Sequence, residues 1–374
     1  MFTITVDGTA GLAAPVAQGH PTAIVSMGDS YISGEGGRWF GNSNNPMGSH
    51  DGTDRAYRGK DTYDVGAIYG GSADNGCDRS DVAEILSNDI PVDRKFNIAC
   101  SGAETVHLLR SQSGGKYFKG EMPQADRLAE IAKDHEVTLI ALSVGGNDLG
   151  FGTHIADCIT RYLSSTSANP SYCAGRAQDA VNAGLPALVA RIGIVIDDIR
   201  SVMTASGQAP HTYDIVLQSY PAVLPYAADI RYPQDGVTRT AIGGCPVWNQ
   251  DLNWYRELGI SQMTTALRDV AEVKKVSFLD LSELLQGREV CSRHSKLVDL
   301  FNPANPETSE WARFITTGAV QGHVRESMHL NAYGQQATGR CLELAYQRGP
   351  GNHSCLNIAG EGPRNVYLMG NGDR

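Results

Sequence analysis

Five short apolar runs punctuate the chain, at residues 23–27, 95–99, 137–144, 214–220 and 275–281, each rich in β-branched residues and followed by turn chemistry. Their hydrophobic positions are continuous rather than alternating. That pattern predicts strands buried on both faces, as in a parallel sheet. Helical periodicity predicts helices over residues 80–88, 124–133, 186–203, 254–273 and 332–347. Strand and helix therefore alternate, with no fixed-period repeat, and the expected fold class is α/β: a three-layer α/β/α sandwich with right-handed crossovers.

Four long segments rich in Gly, Asn, Asp and Tyr interrupt the alternation, at 31–76, 149–184, 221–251 and 287–326. Each follows a candidate strand. Ligands of open α/β sheets bind beyond the carboxyl ends of the strands, so these segments are expected to build a cleft. No low-complexity linker divides the chain. Residues 21–374 read as a single domain, and residues 1–20, which include the small-residue stretch 11–19 (GLAAPVAQG), read as a leader remnant or N-terminal extension.

Charged residues make up only 19% of the 374 positions, while Gly numbers 42 and Pro 16, a composition of short elements joined by structured loops. With 31 basic against 41 acidic residues the formal net charge is −10, which argues against nucleic acid and anionic membrane as partners. The run 137–144 is too short to span a bilayer, and 185–199 is interrupted by Arg191, Asp197 and Asp198, so no membrane span is expected. Eight cysteines stand at Cys77, Cys100, Cys158, Cys173, Cys245, Cys291, Cys341 and Cys355, with no CxxC pair. Disulfides in an exported protein are the better reading. Sequential pairing, 77 to 100, 158 to 173, 245 to 291 and 341 to 355, is the simplest of the roughly 105 connectivities available.

The candidate chemistry lies at strand ends. The first run ends in Gly28-Asp29-Ser30-Tyr31, the second in Cys100-Ser101-Gly102-Ala103, and the third in Gly145-Gly146-Asn147-Asp148. Singly, each is weak: a serine at a turn usually caps a helix, Gly102 serves any tight turn, and Asn147 is an ordinary turn residue. Together they place a hydroxyl, a close-approach glycine and a side-chain amide at one sheet edge. Acyl transfer requires that set: Ser30 as nucleophile, with the backbone N–H groups of Ser30 and Gly102 and the Asn147 amide as an oxyanion hole. His329, immediately before the last predicted helix, is the candidate general base.

These four blocks, Ser30, Gly102, Asn147 and His329 in that chain order, resemble the SGNH (GDSL-like) hydrolase superfamily, and the GDSY, GGND and SMHLN wording is most similar to secreted actinobacterial lipases and esterases. The resemblance runs from about residue 22 to 347. It implies a flavodoxin-like sheet of five parallel strands, an acyl-enzyme mechanism, no cofactor, and disulfides in the site-forming loops. Two positions depart from the pattern: the family often has Asp three residues before the histidine, where Glu326 stands here, and Leu330 stands where proline is common. Either Glu326 orients the imidazole, or a main-chain carbonyl such as that of Ser327 does, with a slight preference for the carbonyl.

The chain carries no G-x-S-x-G elbow, HExxH helix, P-loop or EF-hand loop, so no metal site is expected. The Asp and Asn residues between Asn42 and Asp64 read as solvated loop polarity rather than a calcium loop. Trp39, Phe40, Tyr57, Tyr63, Trp248 and Trp254 are candidates either for an apolar acyl site or for core packing. The expected substrate is a lipid or small carboxylic ester, with O-acetylated polysaccharide second. Transient contact with a lipid interface fits the first. A non-catalytic carbohydrate- or polymer-binding protein on the same fold is the reading from another class.

Overall fold

A computed structural model describes residues 19–45, 50–316 and 322–370. The leader reading for residues 1–20 therefore falls almost wholly outside the described residues. In chain order the main elements are β1 (Thr22–Gly28), β2 (Arg94–Asn97), α1 (Gln124–Asp134), β3 (Glu136–Ser143), α2 (Phe151–Leu163), α3 (Ala174–Ala205), β4 (Asp214–Gln218), α4 (Ser261–Lys274), β5 (Ser277–Asp280), α5 (Ala332–Arg348), β6 (Asn352–Leu356) and β7 (Tyr367–Gly370).

The strands form one sheet in the order β2-β1-β3-β4-β5-β6-β7, parallel throughout except for the antiparallel β6–β7 pair. Its first five positions follow the flavodoxin-like order 2-1-3-4-5, and all five predicted strands are present. In β1 and β3 nearly every side chain is buried, whichever way it points. Both sheet faces are thus covered, which is the reason these runs lack alternation. Helices α1 and α4 pack against α3, and α5 packs against β5 and β7. One hydrophobic core runs from Ala23 to Leu368.

The structure departs from the sequence reading in several places. The sheet has seven strands rather than five; β6 and β7 are short and mixed in polarity, and β6 is secured to α5 by Cys341–Cys355. The segment 149–184, expected as loop, holds α2 and the first turns of α3. Helix α3 continues through Pro186, which removes one main-chain donor; apolar burial on both sides of it, at Ala177 and Val181 and then at Leu188 and Ile192, offsets the loss. This helix is long and apolar enough to cross a membrane, but Leu188, Ile192, Val195, Ile196 and Ile199 are buried in the core and Asp198 accepts from Arg110 and Ser113. It is a core helix. The helix expected over 254–273 is instead a short helix Asn249–Trp254, a π-turn Tyr255–Ile260 and then α4.

The helix expected over 80–88 is absent. There the chain makes successive turns in which remote side chains take polar groups, Gln218 Nε2 donating to Glu84 Oε1 (2.8 Å) and Glu84 N donating to Gln335 Oε1 (3.0 Å), while Asn88 Nδ2 donates locally to the carbonyls of Glu84 and Ile85. The Asn and Asp residues read as solvated include two that are buried. Asn42 donates to Glu310 Oε2 (2.6 Å) and Ala312 O (2.8 Å), and Asp54 forms a bidentate pair with Arg38.

The sequential cysteine pairing is the one observed: Cys77–Cys100, Cys158–Cys173, Cys245–Cys291 and Cys341–Cys355. The first ties the loop after Gly76 to the end of β2, and the second joins α2 to the start of α3.

Burial pushes the Glu84 carboxyl up to about 8, against the lowering effect of its bond from Gln218. Its folded value lies above its unfolded one, so the native state retains a proton that the unfolded chain has lost, and stability falls as pH rises from about 4.5 through about 8. Glu84→Gln removes this dependence. The melting temperature of the variant relative to wild type is expected to climb between pH 5 and pH 8; a difference that stays constant across that range contradicts the assignment.

Candidate active site

The parallel register places three strand ends side by side. Gly28 pairs with Ser143, and Ser26 pairs with Asn97. Gly28 has φ +142°, and a Cβ there would lie 1.9 Å from the Ser143 carbonyl oxygen, so only glycine allows β1 to end this close to β3. Gln124, at the start of α1, clamps the same residue from both sides: its Oε1 accepts from Gly28 N (2.7 Å) and its Nε2 donates to Gly28 O (2.8 Å).

Ser30 opens the short helical turn Ser30–Ser33 directly beyond this point. Asp29 caps that turn, accepting from Tyr31 N (3.1 Å), and its other oxygen accepts from the Tyr220 hydroxyl. Burial drives the Asp29 carboxyl up to about 7 in spite of these bonds. Tyr220 in turn accepts from Gly146 N (3.0 Å), so one phenol connects the Ser30 turn to the turn carrying Asn147. Asp148 secures that turn to the β2 loop by accepting from Thr105 N (3.0 Å) and Thr105 Oγ1 (2.6 Å).

The histidine arrives from far away in the sequence. Residues 310–313 and 328–331 pair through their main chains: Arg313 N donates to His329 O (2.7 Å), Met328 N to Arg313 O (2.8 Å), and Asn331 N to Trp311 O (3.0 Å). Met328 adopts φ +65°, a left-handed conformation rare for a side chain of its size. Its carbonyl accepts from the Tyr31 hydroxyl (2.7 Å), which fastens the histidine loop to the residue after Ser30. Asn331 caps α5 by accepting from Tyr333 N and Gly334 N. The result is a 2.7 Å contact between His329 Nε2 and Ser30 Oγ.

Ser30, Gly102, Asn147 and His329 all line one cavity of about 380 Å³. Gly102 takes φ +84°, and Asn147 uses one amide hydrogen on Ala103 O (2.9 Å), which leaves the second free. Burial lowers the His329 imidazole to about 4, outweighing the main-chain contacts from Ser327 and Arg325, the nearby charge of Glu326 and its main-chain contact, all of which act in the opposite direction. A neutral ring beside a serine hydroxyl is the protonation state a general base requires.

Glu326, one of the two groups weighed for orienting the imidazole, makes no hydrogen bond to its Nδ1. It is buried with its oxygens engaged elsewhere: Oε1 accepts from the Tyr69 hydroxyl (2.7 Å), and Oε2 accepts from Trp39 Nε1 (3.0 Å) and His323 N (3.1 Å). His329 Nδ1 has no hydrogen bond of ordinary geometry, and main chain of residues 325–327 lies against the ring.

Two features of the site escaped the sequence reading. Glu35, five residues after Ser30, lines the cavity with Oε2 3.7 Å from His329 Nε2. Its signal was a lone acid in the run Gly34-Glu35-Gly36-Gly37; a Cβ at Gly36 would come within 2.7 Å of the Leu330 carbonyl oxygen, so the close approach depends on glycine. The apolar wall was the other. None of the six nominated aromatics lines the cavity; Trp39 and Trp248 are core, and the wall comes instead from Phe151, Ile155 and Ile159 of α2, Tyr255 and Ile260 of the π-turn, and Met263 of α4. The spacing of Phe151, Ile155 and Ile159 was a readable helical stripe inside a segment taken as loop.

One cluster of metal-ligand type occurs among the described residues, Cys158, Cys173 and Asp251. The two sulfurs are joined to each other and offer no thiolate, and Asp251 Oδ1 accepts from Cys173 N (3.1 Å) and Ala174 N (3.0 Å), a structural cap at the start of α3.

A doubly wound α/β sheet with serine and histidine in contact beyond its strand ends is an arrangement that several classes of α/β protein share. The family model of the GDSL-like lipase/acylhydrolase family matches residues 26–337, and the chain belongs to that family. Among solved structures it is similar to an extracellular lipase from Streptomyces rimosus (21% identity, 86% of this chain and 98% of that one, TM-score 0.49). It is also similar to a phospholipase A1 from Streptomyces albidoflavus (19% identity, 87% and 98%, TM-score 0.49) and to an aryl esterase from M. smegmatis (14% identity, 72% and 89%, TM-score 0.28). Comparison with curated protein sequences gives no match.

Because Glu326 is held by Tyr69, Trp39 and His323 N, Glu326→Gln is expected to lower the melting temperature, by about 1–3 kcal/mol of stability, through the unsatisfied donors it leaves. Its kcat on p-nitrophenyl butyrate should stay within about tenfold of wild type, whereas loss of a true triad acid costs on the order of 10⁴. A fall of that larger size with an intact fold would return Glu326 to the triad.

Proposed function

We propose that this protein is an exported serine ester hydrolase that acts on lipid or small carboxylic esters through an acyl-enzyme. The observation that carries the reading is the 2.7 Å contact of Ser30 Oγ with the Nε2 of a buried imidazole whose pKa is depressed, inside a cavity walled mainly by apolar side chains. Four disulfides support export to an oxidising compartment.

In the proposed reaction Ser30 Oγ attacks the ester carbonyl carbon as its proton passes to His329 Nε2. The carbonyl oxygen becomes an oxyanion and takes hydrogen bonds from Ser30 N, Gly102 N and the free Asn147 amide hydrogen. The C–O bond to the leaving alcohol breaks, and His329 returns the proton to that oxygen. Water then attacks the acyl carbonyl, gives its proton to Nε2, and releases the acid and Ser30. With main chain of residues 325–327 against the ring and no acid bonded to Nδ1, serine and histidine work as a dyad. The apolar wall from α2 and the π-turn receives the acyl chain, and Val324, 70% exposed at the cavity rim, is placed to meet a lipid interface.

Ser30→Ala should abolish hydrolysis of p-nitrophenyl esters with the melting temperature preserved; wild-type rates in that variant would refute the nucleophile. Asn147→Ala should reduce kcat by about 100- to 1000-fold with a smaller change in KM, as for loss of one oxyanion donor. Ile155→Trp, which fills the cavity from α2, should shift preference across a graded acyl series toward shorter chains. An unchanged profile would place the acyl chain elsewhere.

A further inference from the structure

The dyad leaves an electrostatic problem. When the Ser30 proton arrives, the His329 ring becomes an imidazolium inside a pocket whose burial already holds it neutral down to about pH 4. Serine hydrolases usually meet that charge with a carboxylate on Nδ1. Here the acid nearest in sequence, Glu326, has both oxygens bound to Tyr69, Trp39 and His323 N.

Glu35 lies on the opposite side of the ring. The turn that begins at Ser30 brings it back, with Glu35 N donating to Ser30 O (3.2 Å), and its side chain is 2% exposed. Oε2 accepts from the Ser101 hydroxyl (2.5 Å) and stands 3.7 Å from His329 Nε2, the nitrogen that gains the proton. Oε1 has no hydrogen bond; Arg325 Nε, 3.8 Å away, is its ion partner. A carboxyl so placed has no structural bond that requires both its oxygens, unlike Glu326.

Resting on the Ser30–His329 reading above, we propose that Glu35 is a positioning residue for His329: its carboxylate supports the imidazolium formed in each acyl-transfer step, in place of an acid on Nδ1. Glu35 neither gains nor loses a proton in the cycle. The proton moves from Ser30 to Nε2 and on to the leaving alcohol, then from water to Nε2 and back to Ser30, and the carboxylate stays ionised throughout.

The groups around Glu35 set when that carboxylate exists. From its own loop it faces Asp29 and Ser30; from the β2 loop, Ser101; from the segment 66–78, Tyr69 and Asp78; from the segment before α1, Lys119; and from the histidine loop, Arg325, Glu326 and His329. Burial raises the carboxyl to about 7, against a lowering bond from Ser101; Glu326 also raises it, while Arg325 and Lys119 lower it. Its folded value lies above its ordinary one, so the ionised form accumulates only as pH rises through about 7. Activity limited by Glu35 therefore rises across neutrality, whereas activity limited by the imidazole alone would already be at its plateau above about pH 5.

The test measures kcat and KM of wild type, Glu35→Gln, Glu35→Asp and Ser30→Ala on p-nitrophenyl butyrate from pH 4.5 to 9, with melting curves for each. Wild-type kcat/KM is expected to rise through a limb near pH 7. In Glu35→Gln that limb should vanish and kcat at pH 8 should fall by about tenfold or more with KM within threefold, the pattern of an interaction made only in the transition state. Glu35→Asp should restore part of both. If Glu35→Gln keeps wild-type kcat and its neutral limb while Ser30→Ala is inactive, the role of Glu35 is overturned and the dyad stands. An active Ser30→Ala removes the dyad itself. Should Glu35→Gln fail to fold, the wild-type profile decides: a single limb near pH 4 to 5 overturns the proposal.

Discussion

The side-by-side ending of β1, β2 and β3 is the constraint from which the rest of this structure follows. Parallel pairing sets Gly28 against Ser143 and Ser26 against Asn97, and Asp29 N donates to Ser143 O (3.0 Å) just where β1 stops. Register in a buried sheet is fixed by the apolar faces on both sides; a slip of one residue would turn Val25 and Met27 away from their packing partners. Ser30, Gly102 and Asn147 are therefore positioned by core packing. Gln124 and Tyr220 are polar cross-braces on that arrangement, both buried and both bonded on two sides.

Burial acts on the site in one direction. It lowers the His329 imidazole to about 4, raises Asp29 and Glu35 to about 7, and lifts Asp78, beside Glu35, to about 6. In each case the neutral form is favoured, because removing water penalises charge of either sign. A pocket of this kind suits a reaction that creates charge briefly between fixed dipoles. Where the same fold needs a permanent charge, it supplies a close partner, as with Arg38 and Asp54.

The loops beyond the strand ends are ordered by different means on the two sides of the cavity. On the serine side, Cys77–Cys100 and the bond from Ser101 N to Cys77 O (3.0 Å) fasten the loop after Gly76 to the end of β2. On the side of the apolar wall, Cys158–Cys173 joins α2 to α3, and the π-turn between Trp254 and Ser261 brings Tyr255 and Ile260 into the wall. The histidine loop has no disulfide. It is held by main-chain pairing with residues 311–313 and by the Tyr31 hydroxyl on Met328 O.

The sequence by itself determined the sheet and the chemical set. Short continuous apolar runs, rich in β-branched residues and bounded by turn chemistry, point to strands buried on both faces, and the GDS, glycine, GGND and late-histidine blocks each sit where a strand or helix boundary is written in local turn chemistry. Cysteine order gave the observed pairing because each pair closes a short stretch of chain. What tertiary structure decided is whatever depends on partners distant in sequence. Residues 80–88 have a helical pattern but spend their polar groups on Gln218 and Gln335, and short β6 and β7 exist only because β5 offers an edge and Cys341 holds Cys355 there. The hydrogen bonds of Glu326 go to Trp39 and Tyr69, nearly 300 and over 250 positions away, and the nearness of Glu35 to His329 depends on a glycine that lets two loops touch. Periodicity reports which face of an element is buried; it carries no information about which remote side chain will meet a buried charge.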